Sequence, residues 1–569
     1  MTRAADSPTA RAAPLPVSAA APWWRRIAPV GVLLAFALGL RLVLWNRAVG
    51  FEQGDPLEYV NIAYKLAFGV GIEWWDLRPL LLSLIYVPVL YVAQLWPDPS
   101  GEAMVRALRL VSVLFGVGVV GVTYLLGRDL AGDPDRRRTG ELVGLGAGLL
   151  VAVNPVVNRM SVSTYAEVPS TFFVVFALWL LVRALSARPE RVLLLALAGG
   201  LAIGAGCMVR YQAIFFLPAV GLWVLVVALV RGRPHPPAPS PLRWRGEDEG
   251  AMNRAPTEPF LVGARFIAPV GWWGLLLGFG GGLLLAILAQ AVIELLAYGR
   301  PFHSLLASFE YNVTSGLAPV EFGQEPFGWF LTEIPSWLGL VTAALVVCGL
   351  PSLVRGPSVA GWRLIGLAGL AMFVALSALP HKESRFMAQV LPLLAVFAAQ
   401  GAATLSRAVV FPLFRLRERG LGGEGRPRGL RGQGVLAALL VLAAATPMLA
   451  ASWALDLQSN VGYVLGVKRA AELRPGSTLG TIPWLVARPY AGTRLTLTRM
   501  DRNVWSRRDE VAQTVEQSDF LLFPEYWLLE DREVDKLVDA RFKSIESYED
   551  GVVLYQSRRL EDPNRRRSR

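Results

Sequence analysis

Long apolar runs separated by short charged segments set the pattern of this chain. Ile27–Trp45, Val105–Gly127, Pro169–Leu185 and Val435–Ala454 approach or exceed the roughly 20 residues that cross a bilayer as a helix. In lipid a backbone can satisfy its own polar groups only in that form or in a closed barrel. About eleven such spans are predicted along the chain. The run Pro79–Leu95 carries two prolines and is predicted as a re-entrant or juxtamembrane helix instead of a full span. Ahead of it, Leu57, Ile62 and Leu66 with Tyr59 and Tyr64 give an amphipathic pattern from Pro56, expected to lie along the membrane interface.

The polar pieces are of two kinds. The Ala/Pro-rich start, 1–24, and the Pro-rich insert at 231–265 lack any apolar period and are expected to be disordered and cytoplasmic. After the last span, β-like runs at Ser477–Pro483, Leu495–Met500, Phe520–Trp527 and Val552–Gln556 alternate with helical patterns at Tyr463–Leu473 and Glu530–Asp539. That alternation predicts a small α/β domain over 455–569. It has no phosphate-cradling Gly-rich motif and no metal-ligand spacing, so docking against the outer loops is its expected role. The fold class is an all-α polytopic membrane domain, 25–454, with juxtamembrane helices in its first outer loop, 46–104, followed by that α/β domain.

Composition agrees: the chain has 569 residues, 54% hydrophobic and only 18% charged. A formal charge of +12 could suggest nucleic acid, but the basic residues sit between apolar runs and form no soluble face, so none is expected as a partner. Requiring the basic loops to be cytoplasmic gives about 26 Lys and Arg on one side against about 8 in the alternate loops before the last span. The N-terminus is then cytoplasmic, and an odd number of spans puts 455–569 outside. A miscounted span would reverse that last assignment, and the basic Arg565–Arg569 tail runs against it. Ile27 onward reads as a retained first span, and the expected location is the plasma (inner) membrane. Cys207 and Cys348 lie in apolar runs and imply no disulfide.

Charged residues at the outer ends of the spans are the candidate chemistry. Asp55 and Glu58 stand just outside the first span, where Asp before Pro is also an ordinary helix start. Arg159 and Glu167 flank the turn after the third span, a place where an interfacial pair needs no functional reason. Arg210, in CMVRYQAIF, has no sequence-local partner and suits a phosphate or a distant carboxylate. The densest group is His381, Lys382, Glu383, Ser384, Arg385 and Phe386, between two spans. Its cations can bind a phosphate and stabilise the charge that develops as it leaves, with Glu383 orienting one of them.

At these residues the chain resembles the dolichol-pathway and GPI-anchor α-mannosyltransferases, of the GT-C class of multi-spanning glycosyltransferases. HKESRF is similar to that family's His-Lys-Glu-Glu-Arg-Phe, departing at Ser384. LLAYGRPFHSLLASFEYNV resembles its Tyr-Gly block with Phe-x-Tyr-Asn, here Tyr298, Gly299, Phe309, Tyr311 and Asn312. EPFGWFLTEIP resembles its aromatic segment, and Asp55 with Glu58 its adjacent Asp-Glu pair, spaced differently here. The resemblance runs to about residue 400. It implies a polyprenyl-phosphate-sugar donor, most consistent with mannose, and a glycan, lipid or protein acceptor. It further implies Asp55 as general base, with Glu58 beside it, and inversion at the sugar carbon. Arg210, His381, Lys382 and Arg385 would then supply the phosphate electrostatics, with Tyr311 and Asn312 in the substrate site. No cofactor or essential metal is expected; a divalent ion between Asp55 and Glu167, as in the oligosaccharyltransferase branch, is the alternative. Transfer of an aminosugar, arabinose or glucose also stays open, as does a lipid-linked sugar transporter or flippase, which should show inverted repeats.

Overall fold

A computed structural model of the protein describes residues 24–50, 54–69, 77–95, 101–132, 137–231, 268–315, 323–355, 358–420, 429–481, 490–491, 494–499, 508–525 and 532–560. Nearly all of the N-terminal segment, the Pro-rich insert from 232 and the Arg565–Arg569 tail lie outside the described residues.

Helix α1 (Trp24–Arg47) is followed by the short strand β1 (Val49–Gly50), then by α2 (Asp55–Phe68) and α3 (Leu81–Ala93). The membrane domain continues with α4 (Gly101–Ala131), α5 (Arg137–Val153), α6 (Pro155–Ser161), α7 (Glu167–Leu185) and α8 (Pro189–Val209). It is completed by α9 (Leu217–Arg231), α10 (Ala268–Tyr298), α11 (His303–Phe309), α12 (Leu340–Gly349), α13 (Val359–Ala378), α14 (Leu391–Gly420) and α15 (Gly429–Trp453). Several of these helices meet through glycines. A Cβ on Gly200 of α8 would stand 2.1 Å from the Phe279 carbonyl of α10, and one on Gly282 would stand 2.1 Å from the Leu197 carbonyl. Small residues permit such backbone approach between helices in lipid, where apolar packing alone gives little preference for a partner.

Among the described residues nine helices are long and apolar enough to cross a membrane, and α5 with α6, bent by 64°, makes a tenth when the pair is counted as one span. The sequence count of about eleven therefore needs α12, which with the turn after it runs only from Leu340 to Leu353. Contacts across the chain bear on whether it crosses. Strand β1 pairs in parallel with β2 (Gln458–Ser459), and Arg47 Nη1 donates to the Trp453 carbonyl at 2.7 Å. The ends of α1 and α15 thus share a face, which requires an even number of crossings between them. With α5 and α6 counted as one span, nine spans lie between them without α12 and ten with it, so the shared face is met when α12 crosses, for a total of eleven. Asp55 also meets Arg210 across four spans, so α3 does not cross. At about 1.5 Å per residue, α12 and its turn reach about 21 Å, short of the ~30 Å hydrocarbon core, which explains why length alone missed it.

The carboxy-terminal part is a five-stranded mixed sheet in the order β4-β3-β5-β7-β6. Its strands are β3 (Thr478–Thr481), β4 (Thr496–Arg499), β5 (Phe520–Pro524), β6 (Phe542–Ser547) and β7 (Val552–Ser557). Helices α16 (Val461–Leu473), α17 (Arg508–Gln517) and α18 (Arg532–Arg541) alternate with them. Strand β3 is parallel to β4 and β5, whereas β7 is antiparallel to β5 and β6. One core joins Tyr463, Val464 and Val467 of α16 to Phe520 and Leu522, and takes in Leu57 of α2 and Val105 of α4. Lys468 pairs with Glu102, and the Tyr490 hydroxyl donates to the Gly50 carbonyl at 3.2 Å. The sheet domain is therefore docked on the helix that opens with Asp55.

Candidate active site

Pro56 in the first turn and a left-handed Gly54 (φ 83°) as N-cap start α2, and no side chain caps it. The Asp55 carboxylate is instead turned toward three guanidinium groups. Arg78 lies 2.6 Å from its Oδ1, and Arg210 and Arg385 lie 3.1 and 3.7 Å from its Oδ2. The helix-start explanation of this residue is thus displaced. One turn on, Glu58 is buried and paired with Arg78 Nε.

Glu167 opens α7 and is 1% exposed, so two guanidiniums close to its Oε1 decide its charge environment: Arg210 at 3.2 Å and Arg385 at 3.6 Å. Arg210 has extended backbone in the break between α8 and the 3-10 turn Tyr211–Phe216. Arg385 sits on a second such turn, Ser384–Gln389, over the Tyr165 ring at 4.6 Å and the Phe386 ring at 5.5 Å. Its other amine binds Glu383 at 2.6 Å, and His381 Nε2 meets the same carboxylate oxygen at 2.9 Å. Four carboxylates and three guanidiniums from five segments so converge at one end of the bundle.

Their electrostatics follow from burial and pairing. Burial alone would raise the Asp55 carboxyl, but Arg78, Arg385 and Arg210 outweigh it and hold the group well below the usual carboxylate range. Burial pushes Glu58 upward, with Arg78 pulling the other way. Burial lowers Arg385, yet Asp55 and Glu167 more than offset this and fix its charge. Glu383 lies below its ordinary range because His381 and Arg385 outweigh its burial.

Other expected residues stand elsewhere. Lys382 Nζ donates to the backbone carbonyls of Glu325 at 2.7 Å and Leu379 at 2.5 Å, tying the 323–329 segment to the end of α13. Arg159 lies on α6 with its side chain exposed. Tyr311 and Asn312 are on a π-helical turn after α11, where Asn312 Nδ2 donates locally to the Ser308 carbonyl at 2.8 Å. Sequence reasoning missed Arg78 and Tyr165. Arg78 is the only Arg between residues 48 and 105 and shares that loop with the two acids, a signal that was available. Among the described residues no group of three His, Cys, Asp or Glu side chains is placed to hold a metal ion.

Residues 272–450 match the Alg9-like mannosyltransferase family, and residues 100–235 match the dolichyl-phosphate-mannose-protein mannosyltransferase family. GPI mannosyltransferase 3 of Schizosaccharomyces pombe is 22% identical over 376 residues, an alignment spanning 64% of this chain and 66% of that relative. ArnT from Cupriavidus metallidurans, solved bound to undecaprenyl phosphate, superposes with a TM-score of 0.59 at 14% identity, covering 93% of this chain and 98% of ArnT. The oligosaccharyltransferase of Archaeoglobus fulgidus, tethered to an acceptor peptide, superposes with a TM-score of 0.55 at 13% identity, covering 95% of this chain and 75% of that one. The two matched segments and the GPI mannosyltransferase relative support a glycosyltransferase, mannosyltransferase-like in character, and the fold is similar to that of the solved ArnT and oligosaccharyltransferase structures.

Proposed function

We propose that the chain transfers a sugar, mannose, from a polyprenyl-phosphate-sugar to an acceptor hydroxyl at the extracytoplasmic face of the plasma (inner) membrane. The observation that carries this is the buried cluster in which Arg210 and Arg385 stand between Asp55 and Glu167. Asp55 takes the proton of the acceptor hydroxyl as its oxygen forms a bond to the anomeric carbon. The bond from that carbon to the phosphate oxygen breaks, its electron pair leaves on the polyprenyl phosphate, and the carbon inverts. Arg210 and Arg385 neutralise the leaving phosphate in a site of low dielectric, where such preorganised charge is commonly the largest catalytic term.

A carboxylate held by three guanidiniums is a weak base. A donor phosphate would compete for Arg210 and Arg385, and withdrawing them lets Asp55 rise toward its ordinary range, so donor arrival would switch the base on. Arg78 with Glu58 keeps the carboxylate oriented meanwhile. An apolar cavity of about 390 Å³, lined by Ile334, Trp337, Phe373, Val390 and Leu393 among others, begins just past the turn that carries Arg385. It suits the first isoprene units of a lipid whose phosphate rests on that arginine. Sidedness follows from the basic loops. The acceptor is a lipid-linked glycan, lipid or protein hydroxyl. A divalent ion between Asp55 and Glu167 would have to displace two guanidiniums, so the reaction is assigned to arginine and not to metal.

The test is transfer by the purified full chain in nanodiscs from polyprenyl-phosphate-mannose to a panel of membrane glycolipids, with and without excess EDTA. Mannosylated product in both conditions is expected. Product from the glucose or arabinose donor alone would move the sugar assignment, loss with EDTA would restore a metal, and no product from any donor would contradict the reading.

A further inference from the structure

Glu294 lies on α10 within a membrane span, is fully buried, and has no part in the reaction proposed above. Its Oε2 accepts the Ser304 backbone N–H at 3.0 Å, and its Oε1 accepts the Tyr211 hydroxyl at 2.9 Å. The Ser304 hydroxyl and the Gln290 amide donate to the same Oε1. Gln290 also donates to the Tyr211 oxygen at 3.1 Å, and the Tyr211 and Ser304 hydroxyls are 2.5 Å apart. An ionisable group in a membrane span is expensive and usually marks function.

The network bears on the site through its one link to the break after α8. Tyr211 directly follows Arg210, whose backbone is extended (φ −152°, ψ 122°) and belongs to neither flanking helix. On the other side of Arg210, the Tyr59 hydroxyl donates to the Val209 carbonyl at 3.2 Å. Arg210 Nε itself donates to Gln212 at 2.8 Å, which leaves its amines for Asp55 and Glu167. Arg210, in its non-helical break, is thus flanked by a hydrogen bond at each neighbour, and the Tyr211 bond ends on the buried Glu294 carboxyl.

We propose that Glu294 is a positioning residue: through Tyr211 it fixes the backbone from which Arg210 reaches the donor phosphate. The inference rests on Arg210 contacting that phosphate. Undecaprenyl phosphate is titrated into the full chain in nanodiscs, for the unaltered protein, Tyr211→Phe, Arg210→Ala and the double variant. Removing the Tyr211 hydroxyl, which bonds Glu294, Ser304 and Gln290, should weaken binding roughly five- to tenfold in Tyr211→Phe. The double variant should bind no more weakly than Arg210→Ala, because the two residues act as one unit. Glu294→Ala should reproduce the Tyr211→Phe loss, and Glu294→Gln, which keeps an acceptor oxygen for Tyr211, should recover most of it. Equal losses from Tyr211→Phe in both backgrounds, or none in the unaltered protein, would overturn the proposal. Unchanged binding by Arg210→Ala would instead overturn the phosphate role of Arg210, and this inference with it.

Discussion

Asp55 and Glu58 are one helical turn apart on α2, and the same Arg78 binds both, yet their environments drive their protonation in opposite directions. Asp55 is held below the ordinary carboxylate range by three cations. Glu58 is raised, chiefly by burial, so it takes up a proton first as pH falls. Protonation removes the negative partner of Arg78 Nε and loosens the clamp on Asp55. The acid limb of kcat/KM is therefore expected above the ordinary Glu value of about 4.3. In Glu58→Gln the limb should move to lower pH; an unmoved limb would show that another group titrates. The sequence revealed the acids and Arg385 because charge at the end of an apolar run is conspicuous. It could not reveal that Lys382, in the same motif, turns to the carbonyls of Glu325 and Leu379, since the segment it ties down is 57 residues away from it at Glu325.

Elements were legible where their period was strong. The long spans and the helix after Pro56 follow directly from apolar runs, and strands β3, β4, β5 and β7 fall where β-like runs occur. Strand β6, FKSIES, buries only Phe542 fully and alternates charge along an edge, so it carries no apolar signal. Helix α17, RDEVAQTVEQ, is polar nearly throughout and was missed for the same reason. The bend between α5 and α6 has a local cause in Asn154, which caps α6 by accepting from the Val157 N–H at 3.1 Å, with Pro155 next. Its freed Ala152 carbonyl accepts from buried Arg41 of α1 at 3.4 Å, and Arg41 Nε also donates to Ser161 at 3.2 Å. Gly116 of α4 faces that pair, and a Cβ there would stand 2.3 Å from Ser161 Oγ and 2.7 Å from Arg41 Nε. Overpacking of this kind costs about 1–3 kcal/mol, so Gly116→Ala should lower Tm in nanodiscs. An unchanged Tm would mean that the α1–α4–α6 contact is looser than described.

The whole molecule shows what neither residue patterns nor hydropathy could decide. The crossing count depended on α12, too short to register as a span, and it was fixed by β1 pairing with β2 more than 400 residues along the chain. That pairing also brings the sheet domain to the face that carries Asp55 and Arg385. Single cysteines placed at exposed Arg300 and Glu472, in a background with Cys207 and Cys348 replaced by serine, should react with an impermeant maleimide from the same side. Cysteines at Arg188 and Arg355 should react only from the other side, and in intact cells only the first pair should label. Labelling of Arg300→Cys and Arg355→Cys from one side would mean that α12 does not cross.

The central claim is that a carboxylate on α2 and arginines from distant segments form one reaction chamber. The most direct measurement compares Asp55→Asn with the unaltered chain for turnover of polyprenyl-phosphate-mannose and for binding of undecaprenyl phosphate. Loss of a general base should lower kcat by about 10²–10⁴-fold while binding of the lipid phosphate persists. Normal turnover by Asp55→Asn would contradict the account.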